Sequence, residues 1–438
     1  MRKILAIWAT KFAAMFSKLL GKKGSSSPGR IGLKIYPNLL RDLSKGLKII
    51  VTCGTNGKTT TNNLIDEMLR SSQKKVVCNN LGANMLDGVV TAFAMSTGFW
   101  GKINAEYAAI EIDEISAVKV FEHFTPECMI VTNMFRDQLD RYGEVDLTME
   151  ALAKAIAMVP DVKLILNADD PLAVALGNQN AEYYGIGEKV LEDSNPEVKE
   201  GRFCRKCGTE LVYSFYHYSQ LGHYACDNCG FKRPEVKFEA TGVNLKKGLE
   251  FEVLGCNIFV NYQGFYNIYN ILAAFAGINC LGEDNTHINE VLNAYKPQIG
   301  RMESFEIGKP IVFNLSKNPA GFNQAIQTAL EDNRKKSVVF VINDNAQDGK
   351  DISWIWDVEF ENLNDKLQNI AASGIRYNDV MVRLKYAGFD MDRVLEIDDI
   401  EAAIKSMLKT DCEVLYVLVN YTALFSTQDI LKRLGGAR

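Results

Sequence analysis

The chain has 438 residues, 47% hydrophobic and 24% charged, with 49 Lys/Arg against 54 Asp/Glu. That is ordinary globular composition, and the length suits two or three domains. A net charge of −5 gives no general nucleic-acid signal, and no run of 18 uninterrupted apolar residues marks a transmembrane helix.

The charge is unevenly placed. Residues 1–50 hold eleven Lys/Arg and a single acid, Asp42, while the rest carries 38 basic and 53 acidic residues. A basic head on an acidic body points to a charged partner surface for the head alone. Residues 3–21 predict an amphipathic helix, with Ile4, Leu5, Trp8, Phe12, Met15, Phe16 and Leu19 at helical spacing. Lys3, Lys11, Lys18, Lys22 and Lys23 supply its charge, and residues 24–29 break it. Lys11 and Lys18 interrupt the apolar run too early for a cleaved signal peptide. Two readings fit: a helix lying peripherally on an anionic membrane surface, or one docked on the domain with its lysines in water. Cys53, Cys78, Cys128, Cys256, Cys280 and Cys412 are scattered through apolar segments, which fits a reducing compartment. The expected location is the cytoplasm, with the inner face of the membrane as a further site.

From Leu47 the pattern alternates strand and helix. Leu47–Cys53, Ala108–Ile112, Met129–Thr132 and Lys163–Asn167 predict strands, and Thr59–Leu69 predicts an amphipathic helix. Such alternation makes a mainly parallel sheet covered by helices. The texture changes over 202–232 to Cys, Tyr, His and Gly, as in an inserted module. A second βα run then predicts strands at Ile311–Asn314, Ser337–Ile342, Asp379–Val382 and Glu413–Val419. The expected division is a basic segment over 1–46, a central domain over 47–300 and an α/β domain over 301–438.

Gly54-Thr55-Asn56-Gly57-Lys58-Thr59-Thr60 falls between a strand and a helix, where phosphate binding needs it. Glycines let backbone N–H groups approach phosphates. Lys58 would reach the terminal phosphates of a nucleotide, and Thr59 would offer its hydroxyl to Mg²⁺. Thr52 stands where the general phosphate-loop pattern has glycine. Ala108–Glu114 is an apolar strand ending in acids, and strand carboxyl ends face the ligand crevice. Glu111 or Asp113 could therefore ligate Mg²⁺.

Cys204-x₂-Cys207, eighteen residues, then Cys226-x₂-Cys229 has the spacing of a structural Zn²⁺ site. Four thiolates complete a tetrahedron and leave no open position. His217 and His223 lie between the pairs as spare candidates, though such histidines more often pack. A zinc ribbon can also read nucleic acid, but Glu200, Glu210, Asp227 and Glu235 balance the basic residues nearby, so no nucleic acid is expected.

These motifs resemble the Mur ligase family. GTNGKTT is followed by EIDE at Glu111–Glu114, TNMFRDQLDRYG at 132–143, NADD at Asn167–Asp170, YNIYNILAA at 266–274 and GRME at 300–303, in that family's order. The resemblance implies an α/β fold with a Mur-ligase-like central ATPase domain and parallel sheet. To this it adds the four-cysteine zinc-ribbon insertion and a C-terminal Rossmann-like domain. It implies ATP-dependent phosphorylation of a carboxylate, then attack by an amine on the acyl phosphate. Glu111 would ligate Mg²⁺, Asn267 would meet adenine and Arg301 the nucleotide. Three departures bear on this. About 50 residues precede the loop, where muramyl ligases have a UDP-recognising domain. Gln138 replaces a metal-binding histidine. No lysine follows NADD closely enough to be the family's carbamylated lysine.

With these departures the chain is similar to one branch, the ligase-like subunits of lipid II isoglutaminyl synthase. That implies lipid II as substrate, amidated at the α-carboxylate of D-Glu, with ammonia from a separate GatD-like glutaminase subunit. It also implies an aspartate lent to the partner's Cys-His pair. Asp351, before Ser353-Trp354, is the matching residue, with Asp348 as fallback. The polar run 343–357 follows an apolar strand, a functional position in an α/β sheet. Earlier, over Asn314–Gly321, Asn314 and Lys317 replace an Asp and a His of the corresponding family segment. The alternative is a stand-alone amino-acid ligase of the folylpolyglutamate-synthase kind.

Overall fold

The computed structural model describes residues 1–19, 27–79, 83–137, 145–191, 200–261, 264–295, 300 and 302–436. The chain divides into two compact units, Met1–Phe135 with Val145–Tyr295, and Arg136–Glu144 with Lys296–Arg438.

The first unit opens with helices α1 (Arg2–Leu19) and α2 (Ser27–Ile35). Its strands are β1 (Lys48–Cys53), β2 (Val76–Cys78), β3 (Tyr107–Glu111), β4 (Cys128–Val131), β5 (Lys163–Asn167) and β6 (Ala181–Ile186). β7 (Val212–Tyr218), β8 (Leu221–Ala225), β9 (Phe238–Asn244), β10 (Leu249–Val253) and β11 (Cys256–Val260) follow. Nine of them form one sheet, ordered β11-β10-β9-β6-β5-β4-β1-β3-β2. From β9 to β2 the neighbours run parallel, and β10 and β11 extend the sheet antiparallel. β1 lies between β3 and β4, so the chain leaves it to opposite sides. That is a topological switch point, where α/β sheets open a crevice beyond their strand ends. β1, β3 and β4 are almost wholly buried, as parallel strands covered on both faces must be.

The expected helix at the N-terminus is present, but it docks in an unexpected way. Ala6, Ile7, Thr10 and Ala14 face the core, while Leu5, Trp8, Phe12, Met15, Phe16 and Leu19 face outward. No described helix is long and apolar enough to cross a membrane.

The second unit holds β12 (Glu303–Glu306), β13 (Pro310–Leu315), β14 (Lys336–Val341), β15 (Ile370–Ser373), β16 (Val394–Glu396) and β17 (Val414–Val419). The sheet runs β12-β13-β17-β14-β15-β16, parallel except for β12. Apolar clusters cover its two faces, one around Phe322, Phe340 and Phe360 and one around Phe313, Met407 and Val417. Asp379–Val382, expected as a strand, belongs to the helix Tyr377–Tyr386. Val380, Arg383 and Leu384 are its buried residues, a three-to-four spacing that a four-residue apolar window hides. The strand lies earlier, in the short Ile370–Ser373.

Candidate nucleotide site and cysteine cluster

The phosphate loop leaves β1 and enters the helix Lys58–Ser71 at Gly57. Gly57 has φ +86, and a Cβ there would stand 2.1 Å from Asn270 Oδ1. Gly54 has φ +113, and a Cβ would meet Thr132 Oγ1 at 2.3 Å. Both positions therefore need glycine, for backbone sign and for space. The first N–H groups of the helix have no intrahelical acceptor, so they and the helix dipole favour an anion.

Lys58 is buried and lies back over the loop. Its Nζ donates to the carbonyls of Gly54 and Thr55 and to Glu114 Oε1 at 2.8 Å. The same Glu114 oxygen accepts the Gly54 N–H at 2.8 Å. Burial pushes the Glu114 carboxyl upward, against the pull of Lys58. Beside this pair, Thr59 Oγ1 donates to Glu111 Oε2 at 2.7 Å, and Asn84 Nδ2 donates to Oε1 at 2.9 Å. Asn79 fixes the Glu111 backbone on both sides, accepting its N–H and donating to its carbonyl. Thr59 and Glu111 thus offer two hard oxygens in direct contact, a donor set that suits Mg²⁺.

A second loop clamps the first. Thr55 and Asn56 donate their N–H groups to Asn133, at 2.8 and 2.9 Å, and Thr132 Oγ1 donates to the Asn56 carbonyl at 2.7 Å. Thr55 Oγ1 donates to the Phe135 carbonyl and accepts its N–H, both at 2.9 Å. Asn267 begins the helix Asn267–Cys280, and its Oδ1 accepts from Asn270, the residue that faces Gly57. Arg301 and Gln138 lie outside the described residues.

NADD is largely scaffolding. Asp170 caps the helix Pro171–Ala175 and accepts the Met134 N–H at 2.7 Å. It is fully buried, which pushes its pKa up to about 7. Asp169 is buried against Arg233 at 2.6 Å and accepts from Tyr269 at 2.8 Å. Glu114, Asn133 and Asn84 were not singled out from sequence. EIDE and the Thr132-Asn133 pair were the available signals.

The four cysteine sulfurs lie within 4.8 Å of one another. Each pair sits on a tight turn, closed by Gly208 N donating to the Cys204 carbonyl and Gly230 N to the Cys226 carbonyl. Four sulfurs about 2.3 Å from one ion stand roughly 3.8 Å apart, so the cluster can hold a metal ion. The apolar cluster beneath it is small, around Leu211, Tyr224 and Phe231. His217 and His223 are not in the cysteine cluster. His217 is buried beside Phe265 and Tyr269, and His223 Nε2 bonds the Ile186 carbonyl at 2.8 Å. At the turn between β7 and β8, Gln220 Nε2 donates to the Met134 carbonyl at 2.6 Å, next to the clamp.

In the second unit, Asp351 is half-buried and its Oδ1 accepts the Ser353 N–H at 2.8 Å. That bond holds its carboxyl below the usual range. Asp348 is buried, with Oδ1 and Oδ2 both accepting from Thr422, and burial pushes it upward.

Fold and site define the class: a phosphate-loop α/β enzyme. Residues 51–278 match the Mur ligase middle domain, and residues 315–424 match the MurT ligase C-terminal domain. The chain is 36% identical, over 99% of its length and 98% of the relative's, to the lipid II isoglutaminyl synthase (glutamine-hydrolyzing) subunit MurT of Staphylococcus aureus (strain COL). It is 35% identical to the subunit of that name from Streptococcus pneumoniae, over 93% and 92% of the two chains. A solved pseudomurein peptide ligase type C from Methanothermus fervidus shares the fold, with a TM-score of 0.73 at 24% identity, covering 91% of this chain and 81% of that one. The chain belongs to the Mur ligase family, in its MurT branch, and is an ATP-dependent ligase.

Proposed function

We propose that the chain is the ATP-dependent ligase subunit of a lipid II isoglutaminyl synthase in peptidoglycan biosynthesis. It amidates the α-carboxylate of D-Glu in the lipid II stem peptide to D-isoglutamine, with ammonia from a GatD-like glutaminase partner. The observation that carries this reading is the 36% identity to a subunit of that name along 99% of the chain.

A carboxylate resists attack by an amine, because an oxide is a poor leaving group. Transfer of the terminal phosphoryl group of ATP to one carboxylate oxygen gives an acyl phosphate and ADP. The ammonia lone pair then attacks the carbonyl carbon, the carbon–oxygen bond to phosphate breaks, and nitrogen loses a proton. Lys58 Nζ rests on two loop carbonyls and Glu114 beside the helix N-terminus, and it would turn an N–H from these partners to the terminal phosphates when nucleotide binds. Thr59 and Glu111 would hold Mg²⁺, which would neutralise charge on the transferring phosphoryl group. By the family resemblance, Asn267 would meet the adenine and Arg301 the nucleotide.

Asp351 suits the role of a carboxylate lent to the partner's Cys-His pair better than Asp348. It is ionised and near the surface, whereas both Asp348 oxygens are engaged with Thr422 inside the unit. Five residues further on, the exposed Trp356 packs on the exposed Tyr386 at 5.6 Å, an aromatic patch of the sort that anchors interfaces. The all-thiolate set favours Zn²⁺ at the cysteine cluster, and metal analysis of the purified chain should return stoichiometric zinc. A lipid-linked substrate also requires the enzyme to work at a membrane surface.

The test is amidation of lipid II by the chain with ATP, Mg²⁺ and an ammonium salt, read by product mass. Glutamine should replace ammonium only when the glutaminase is present. Failure to amidate with ammonium would overturn the reading, and addition of an amino acid would point to the folylpolyglutamate-synthase kind instead.

A further inference from the structure

Helix α1 reverses the usual arrangement of a surface helix. Its apolar stripe faces water: Leu5 is 60% exposed, Phe12 65%, and Trp8, Met15, Phe16 and Leu19 are exposed beside them. Two of its basic side chains reach inward, Lys11 Nζ donating to the Thr97 carbonyl and Lys3 Nζ to the Asp42 carbonyl at 3.4 Å. These two bonds, with the buried Ala6, Ile7, Thr10 and Ala14, fix which face is turned out.

The stripe continues onto another element. The loop closed by the Thr97–Ile103 bridge carries Phe99 and Trp100 at its tip, 62% and 80% exposed. Trp8 packs edge-on to Phe99 at 4.3 Å and donates its Nε1–H to the Phe99 carbonyl, and Phe99 packs on Trp100 at 5.1 Å. Single exposed apolar residues are ordinary, but a contiguous aromatic and aliphatic patch across two elements marks an interaction surface.

The charge around it chooses the occupant. Arg2, Lys34 and Lys102 are exposed on α1, α2 and the loop. α1, α2 and the loop carry no acidic residue, and the nearby Asp87 and Asp42 on other helices are partnered, Asp87 with Arg30 at 2.9 Å and Asp42 with Tyr36 and Lys45. An apolar face with tryptophans and a basic rim fits an anionic lipid surface. The apolar side chains enter the acyl boundary and the rim meets the headgroups. We propose that α1 and the Phe99-Trp100 loop tip form a peripheral membrane-docking surface for an anionic bilayer. The helix lies in the plane of the interface and does not cross it. This surface is independent of the reaction assigned to the nucleotide site.

Flotation of the full chain with phosphatidylglycerol–phosphatidylcholine vesicles, against phosphatidylcholine alone, tests it. The chain should float with the anionic vesicles, and added salt should release it. F12E/W100E should weaken binding at least about tenfold, since each side chain loses its apolar burial. W100S leaves the helix untouched and should weaken it in the same direction. Lys102→Gln should weaken binding about fivefold. Failure of the wild type to float, equal flotation with neutral vesicles, or unchanged binding of both aromatic variants would overturn the proposal. A wild-type dimer that F12E/W100E dissociates, without flotation, would give the patch to a second copy of the chain and overturn it equally.

Discussion

The phosphate loop and the Asp351 segment both follow a parallel strand, yet they are finished in opposite ways. Around the loop every polar group named has a partner within the chain. Lys58 meets Glu114, Thr59 meets Glu111, and Asn133 holds the Thr55 and Asn56 amides. The carboxylates are buried, and burial raises Glu114. Asp351 sits near the surface before a short 3₁₀ turn, its carboxyl lowered by the Ser353 N–H. A group that must stabilise transferring phosphate needs fixed dipoles away from water. A carboxylate lent to another chain must stay ionised and reachable. The contrast between a closed site and an open one separates the work this chain does alone from the work it shares.

The largest expected effect falls on the closed site. Lys58→Ala should lower ATP-dependent amidation on the order of 10⁴-fold, the scale of losing a cation that stabilises phosphoryl transfer. It should also lower the thermal midpoint, because Glu114 is left buried without its cation. Adding Glu114→Gln should restore much of the stability and none of the turnover. Turnover of Lys58→Ala within about tenfold of wild type would break the comparison, since the loop would then not hold the reacting phosphate.

The open site should respond in one assay only. Asp351→Asn in the complex with the glutaminase should reduce glutamine-driven amidation on the order of 10⁴-fold, as loss of a histidine-orienting aspartate does. Ammonium-driven amidation should be unchanged. Equal loss in both assays would place Asp351 in the ligase reaction, and loss in neither would end its proposed role. Asp348→Asn should act differently, through stability, because both its oxygens are bonded to Thr422.

The loop was legible in sequence because its chemistry is local. Glycines, lysine and threonine follow one another at a strand end, and the strand before them is a plain apolar run. Glu111 was legible for the same reason. Glu114 was visible as an acid of EIDE, but its pairing with Lys58 spans 56 residues and depends on β1 lying beside β3. The Asn133 clamp depends likewise on β4 lying on the other side of β1. The helical spacing of Trp8, Phe12 and Leu19 announced an amphipathic α1, yet not which face would pack. Small Ala6, Thr10 and Ala14 approach the domain closely, which the bulky stripe could not do. In the second unit, Val380 and Val382 suggested a strand because β-branched residues favour one, whereas burial of Val380, Arg383 and Leu384 made the segment helical.

The smallest expected effect concerns how the closed site titrates. Asp170 accepts from Met134, at the edge of the clamp, and its pKa is raised to about 7 because burial disfavours the charged form. A carboxyl raised above its unfolded value contributes stability that is fully present at low pH. That contribution is lost as pH rises through the folded value. Between about pH 5 and pH 7 the loss amounts to about 3 kcal/mol, at roughly 1.4 kcal/mol per pH unit. Asp170→Asn cannot ionise there, so its denaturant stability should change less steeply over that window, whatever constant offset its altered cap introduces. The difference in slope between the two proteins is the readout. Parallel profiles would mean that Asp170 is already charged across the window. In that case its four neighbours, Met134, Leu172, Gln220 and Ala173, would hold the carboxylate well enough to outweigh burial.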